Sequence, residues 1–192
     1  MRIAFTLLGD SSWTGGVNYL RNILFSLHEL NEDDVEPVLF VAPDTDPKVI
    51  DSLEPYVKEI VKESAYKRWT PRWFVSMSTR RALDRDVEVE RLFIKHSIDV
   101  VFHSGLLGEG FRLPCVNWIP DFQHLHMPEM FSKRDYKYRD KLFLDLSRMC
   151  ERLVVSSTMA REDFEASLPK FAEKVDLLNF VARIPEEIYE LD

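Results

Sequence analysis

The chain has 192 residues, enough for one α/β domain with a buried core and too few for two of that size. Hydrophobic residues make up 45% and charged residues 30%, which excludes a low-complexity or disordered chain. A formal net charge of -8 excludes a general nucleic-acid binder, whose phosphate contacts need a concentrated basic surface.

In chain order, short β-rich runs alternate with longer segments of helical period, the pattern of a parallel sheet wrapped by helices. Strands are expected over 3–8, 37–42, 57–61, 99–103, 115–119, 152–156 and 175–178, and most are continuously apolar, as in a sheet covered on both faces. A helix starting near Gly16 carries Val17, Leu20, Ile23 or Leu24, and Leu27 on one stripe. Long helices are expected over 72–95 and 134–149, and a shorter one over 158–167 with Ser157 or Thr158 as its cap. The fold class is α/β: a doubly wound parallel sheet of about seven strands.

The apolar run 1–8 ends at Asp10, short of a signal-peptide core or a membrane span, so a cytoplasmic chain is expected. Cys115 and Cys150 have no CxxC spacing and no His partner at metal spacing, and read as reduced packing residues rather than zinc ligands. The domain is expected to fill 1–182. Residues 183–192, with Pro185 and several Glu, read as the start of a linker cut from something longer.

Gly9-Asp10-Ser11-Ser12-Trp13-Thr14-Gly15-Gly16 follows the first strand and leads straight into a helix. A Gly pair opening a helix exposes free N–H groups at the positive end of the dipole, a cradle for a diphosphate. Gly15, Gly16 and Asn18 are therefore candidate substrate-binding residues, although a purely structural turn uses the same residue types. The spacing fits neither GxGxxG nor the P-loop.

A second loop, Pro120-Asp121-Phe122-Gln123-His124-Leu125-His126, follows the expected strand 115–119. Ligands of open α/β sheets bind beyond the carboxyl ends of strands, where this loop gathers carboxylate, imidazole and aromatic groups. His103 and Ser104 at the end of strand 99–103, and Ser156 at the end of strand 152–156, stand at equivalent ends and are candidates for the same cleft.

Two families share these motifs. Gly9-Asp10-Ser11 resembles the opening of the SGNH hydrolases, which would make Ser11 a nucleophile with Asp121 and His124 as a D-x-x-H pair. The family's Gly-x-Asn-Asp block is absent, however, and its D-x-x-H lies near the C-terminus. The fuller resemblance is to GT4-family glycosyltransferases of the GT-B fold. Asp121-Phe122-Gln123-His124 followed by Pro128-Glu129-Met130-Phe131 is similar to their acceptor-side loop. Gly15-Gly16-Val17 is similar to their N-terminal glycine loop, and Val154-Val155-Ser156-Ser157 to the segment before their interdomain connection.

The resemblance implies the acceptor-side, Rossmann-like half of a retaining transferase that moves sugar from a nucleotide-sugar donor to a hydroxyl acceptor, glycan or lipid-linked. No metal or other cofactor is implied, and the donor-binding C-terminal domain is expected to lie outside these residues. Gly15 and Gly16 would approach the donor diphosphate. Pro120 stands where many members carry His, so Asp121 and His124 take the catalytic role. Such a fragment is expected to fold and to transfer no sugar alone. A non-enzymatic α/β binding module would need neither side chain in a cleft.

Residues 65–83 hold Lys67, Arg68, Arg72, Arg80 and Arg81 and no acidic residue, with Tyr66, Trp69, Trp73 and Phe74 interleaved. Such a segment, 66–81, could make peripheral contact with anionic lipid or a polyanionic acceptor, or tuck its aromatics into the core. Asp44-Thr45-Asp46 and Asp84-Arg85-Asp86 match the D-x-D of metal-dependent transferases, a spacing that chance readily supplies in an Asp-rich chain, and no metal is assigned.

Overall fold

The computed structural model describes residues 1–7, 14–30, 34–103 and 105–179. Its sheet is built from β1 (Arg2–Thr6), β2 (Glu36–Val41), β3 (Glu59–Lys62), β4 (Val100–His103), β5 (Cys115–Ile119), β6 (Arg152–Val155) and β7 (Val175–Leu177). The order is β3-β2-β1-β4-β5-β6-β7. Every pairing is parallel, with Phe5 opposite both Leu39 and Phe102, His103 opposite Asn117, and Trp118 opposite Val154. All seven expected strands are present, and the carboxyl ends of all of them share one rim.

Side chains alternate along each strand, so the sheet feeds two cores. On one face Phe5, Leu39 and Val41 pack under α1 (Thr14–Leu30) and α2 (Pro47–Leu53) through Leu20, Leu24, Ile50 and Leu53. On the other, Ala4, Phe40, Val101, Ile119 and Val155 pack under α4 (Val87–Lys95), α6 (Lys133–Met149) and α7 (Thr158–Ser167). Crossovers from a sheet whose strand order reverses at β1/β4 put the helices on both faces in this way. A short turn of helix, α5 (Gln123–His126), follows β5. Ser157 caps α7, accepting from the Ala160 N–H at 3.1 Å.

The expected helix 72–95 is two helices, α3 (Pro71–Leu83) and α4. Asp84 takes a left-handed conformation at φ 48°, and Asp86 restarts the chain as the cap of α4, its Oδ1 accepting from the Val89 N–H at 3.1 Å. The loop between β4 and β5 is sewn into this break: the Gly110 N–H donates to the Asp84 carbonyl at 2.9 Å, and the Asp86 N–H to the Leu107 carbonyl at 2.8 Å. Helical periodicity runs on through the junction, and the capping aspartates were the signal that mattered. The other D-x-D has a similar use, since Asp46 caps α2 by accepting from the Lys48 N–H at 2.9 Å.

Gly108 is where this junction is most sensitive. Its φ is +93°, and a Cβ there would lie 2.2 Å from the Asp84 carbonyl oxygen, whereas at Gly110 the same distance is 3.2 Å. Gly108→Ala should therefore cost more than about 2 kcal/mol through combined backbone strain and overlap. Gly110→Ala should cost clearly less. Urea-unfolding midpoints of the two variants, compared with the parent, check the order; equal midpoints would contradict the packing of this loop.

Candidate functional site

The rim at the carboxyl ends is held together one turn behind the two motifs. Tyr19, a helical turn after Gly15, stacks on Trp118 of β5 with ring centroids 4.1 Å apart and planes 19° apart. The Trp118 indole N–H donates to the Ser156 hydroxyl at 2.8 Å, and the Tyr19 hydroxyl donates to the Leu178 carbonyl at 3.4 Å. Burial pushes the Tyr19 phenol up to about 12, with the Ser156 hydroxyl the smaller, opposing influence. One aromatic pair thus ties the start of α1 to the ends of β5, β6 and β7.

The structure brings Gly15, Gly16, Asp121 and Ser156 to this rim, and His103 ends β4 there, opposite Asn117 of β5. Gly15 is exposed, and among the described residues beyond its own helical backbone and chain neighbours nothing lies within 4 Å of where a Cβ would project. Gly16 is buried and Asn18 is exposed. Ser156 is only 7% exposed, and its hydroxyl serves Trp118. Ser104, and residues 9–13 with Ser11 among them, lie outside the described residues, as does the segment 183–192.

Asp121 is 36% exposed, and one of its oxygens does the structural work. Oδ1 accepts from the Gln123 N–H at 3.0 Å, which turns the chain into α5, and from Arg139 Nη1 at 3.2 Å. Arg139 lies over the Phe131 ring, 4.8 Å from its centroid. Oδ2 has no partner among the described residues. A carboxylate fixed by one oxygen and open at the other can accept a hydrogen bond, or a proton, from a hydroxyl brought to the rim.

His124 is placed otherwise than the sequence suggests. It is 1% exposed, ringed by Phe122, Phe131, Tyr136 and Phe143. Its Nε2 lies 3.0 Å from Asp140 Oδ1. A carboxylate only accepts, so Nε2 carries the proton, and Nδ1 is left buried without a partner. A group enclosed in this way cannot face an acceptor; the ring anchors the loop to α6 instead. The D-x-x-H pair is likewise no relay, because Asp121 bonds Arg139 and His124 bonds Asp140.

Arg139 and Asp140 escape sequence reasoning because they sit in a helix far along the chain. The available signal was the spacing of Tyr136, Arg139, Asp140 and Phe143, which share one side of α6. A cleft of about 370 Å³ lies between α3, residues 106–109 and α6, lined by Met77, Arg80, Arg81, Lys141 and Asp145 among others. None of its lining residues is a site candidate from the sequence. Among the described residues no group of three or more His, Cys, Asp or Glu could hold a metal, and no helix is long and apolar enough to cross a membrane. Cys115 and Cys150 are free and buried.

The different settings of Asp121 and His124 separate in stability. His124→Ala empties a buried aromatic cage and should cost about 3 kcal/mol, in the range for large buried side chains cut to Ala. Asp121→Asn disturbs one part-exposed ion pair and should cost under about 1 kcal/mol. Urea titration of both variants checks this, and a His124→Ala protein as stable as Asp121→Asn would contradict the enclosure of the ring.

No protein-family model matches the chain, and no curated protein matches it in sequence. Among solved structures, a Listeria monocytogenes protein assigned as a UDP-N-acetylglucosamine 2-epimerase matches with a TM-score of 0.51 and 9% identity, over 91% of this chain and 44% of that one. The chain therefore spans less than half the length of that protein. At this identity the likeness carries the fold alone: a Rossmann-like α/β domain of GT-B-like architecture.

Proposed function

We propose that this chain is the acceptor-side half of a sugar-nucleotide-dependent glycosyltransferase of GT4 type. The observation that carries the reading is the shared rim: the first turn of α1, with its exposed Gly15, and the half-engaged carboxylate of Asp121 are tied together by the Tyr19–Trp118 stack. The likeness to a protein assigned to UDP-sugar chemistry supports sugar-nucleotide work on this fold. The loop resemblance supports transfer over epimerisation.

In this reading the N–H groups at the start of α1 face the donor's diphosphate across a cleft completed by a second domain. Asp121 Oδ2 accepts the hydrogen bond of the acceptor hydroxyl and orients it toward the sugar. Arg139 holds the carboxylate, and Phe131 holds Arg139, so the oxygen is positioned before the acceptor arrives. His124 is a positioning residue: it fixes the loop on α6 and touches no substrate. Closing the two halves excludes water and protects the activated sugar from hydrolysis.

In the protein that carries a donor-binding half, Asp121→Asn should lower kcat by about 100-fold or more, as expected for loss of a positioned acid–base group, with the donor KM little changed. Wild-type turnover by that variant would remove Asp121 from the reaction. Incubating the same protein with UDP-N-acetylglucosamine and no acceptor tests the other chemistry. Inversion at the sugar C2, followed by NMR, would favour an epimerase instead.

A further inference from the structure

Helix α3 is built inside out. Its inward side is polar: Arg72 pairs with Glu63 and Glu88, Ser76 donates to Asp86, Thr79 accepts from the Val87 N–H at 3.3 Å, and Arg80 donates to the Leu106 carbonyl at 2.7 Å. Ser76 is its only buried residue. The opposite side carries Phe74 (47% exposed) and Met77 together with Ser78 and Arg81, while Val75 and Leu83 are exposed at its flank and in its last turn. A surface helix normally turns its apolar stripe to the core. Here polar groups take that side, and Phe74 on the opposite one packs against Trp69, which is 76% exposed.

Trp69 is held in this position against its own backbone preference. Its φ is 67°, a left-handed conformation that costs a bulky side chain on the order of 1–3 kcal/mol and persists only where neighbours impose it. They do: the Thr70 hydroxyl donates to the Ser64 carbonyl at 2.6 Å and accepts from the Trp73 N–H at 3.2 Å, fixing the turn. Trp69, Trp73 and Phe74 form one ring cluster with centroids 5.1 to 6.0 Å apart. Strain spent on exposing an indole points to contact with something outside the domain.

The charge around the cluster identifies the occupant. Arg68 is exposed next to it in sequence, and Arg81 is exposed two turns further along α3; neither has an ion pair among the described residues, and Lys67 makes only a part-exposed pair with Asp44 at 3.2 Å. Residues 65–83 contain five basic side chains and no acidic one in a chain of net charge -8. A second copy seated on this face would set these arginines against their own kind. Indole and phenyl rings beside unpaired arginines suit the headgroup boundary of an anionic bilayer, where the rings enter the interface and the guanidinium groups meet lipid phosphates.

We propose that the 64–83 segment, centred on Trp69, Phe74, Arg68 and Arg81, docks this protein peripherally on anionic lipid membranes. The Lys67–Asp44 pair lies just past the ends of β2 and β3, so docking turns the rim that bears Asp121 toward the bilayer edge. The inference stands on the helix and its charges, independently of the sugar-transfer reading.

The test is co-sedimentation of the 192-residue chain with vesicles of phosphatidylcholine alone and of phosphatidylcholine mixed with phosphatidylglycerol. Binding to the mixed vesicles only is expected, with a blue shift of tryptophan emission and weakening in high salt. Trp69→Ser with Phe74→Ser, and separately Arg68→Glu with Arg81→Glu, should each reduce binding by at least about tenfold while leaving the thermal midpoint unchanged. No binding, equal binding to both lipids, or binding that both double variants retain would overturn the proposal. So would concentration-dependent dimerisation that Trp69→Ser with Phe74→Ser abolishes, since a second copy would then be the cover.

Discussion

Seven strands paired in parallel impose one directional constraint from which the rest of this molecule follows. Because each strand points the same way as its neighbour, every chain reversal that leaves a strand end leaves it at the same rim. Segments separated by a hundred residues of sequence, the start of α1 and the aspartate loop, thereby come to the same rim. The sheet needs only a clamp to hold that rim, and the Tyr19–Trp118–Ser156 contact supplies it. Buried aromatic stacking of this kind contributes about 0.5–1.5 kcal/mol beyond the area it covers, and here it also fixes the angle at which α1 meets the sheet.

Around Asp121 the same economy operates with polar groups. The carboxylate is held by a backbone N–H and a guanidinium through one oxygen, the guanidinium rests on an aromatic face, and the aromatic face belongs to the loop that Asp121 begins. The loop therefore closes on itself through α6. His124 adds a buried hydrogen bond from the same loop to the same helix. A side chain that sequence reading treats as chemistry is here an anchor, and the arginine that the reading passes over is the direct partner of the Asp121 carboxylate.

What the sequence made legible was whatever depends on local pattern. Continuous apolar runs located all seven strands to within about two residues, the usual uncertainty of element boundaries, and the strand-end rule located the rim. What it hid depends on partners distant in the chain. Nothing near His124 announces that Tyr136, Asp140 and Phe143 will enclose it. The break between α3 and α4 is set as much by Leu107, Gly108 and Gly110 as by Asp84 and Asp86. The orientation of α3 was likewise beyond reach, because the partners of its polar side, Glu63, Glu88 and Leu106, come from three other segments.

That orientation has a bearing on how the domain is held together. Most elements here are fastened by burial, which ordinary salt concentrations scarcely alter. Helix α3 is fastened by arginine–carboxylate pairs and by hydrogen bonds to backbone, contacts that dissolved ions weaken. Its attachment is thus a separate, electrolyte-sensitive layer of local stability, one that can loosen while the sheet beneath stays intact. The domain carries, on its outer wall, a part whose grip is set by the ionic composition of its surroundings.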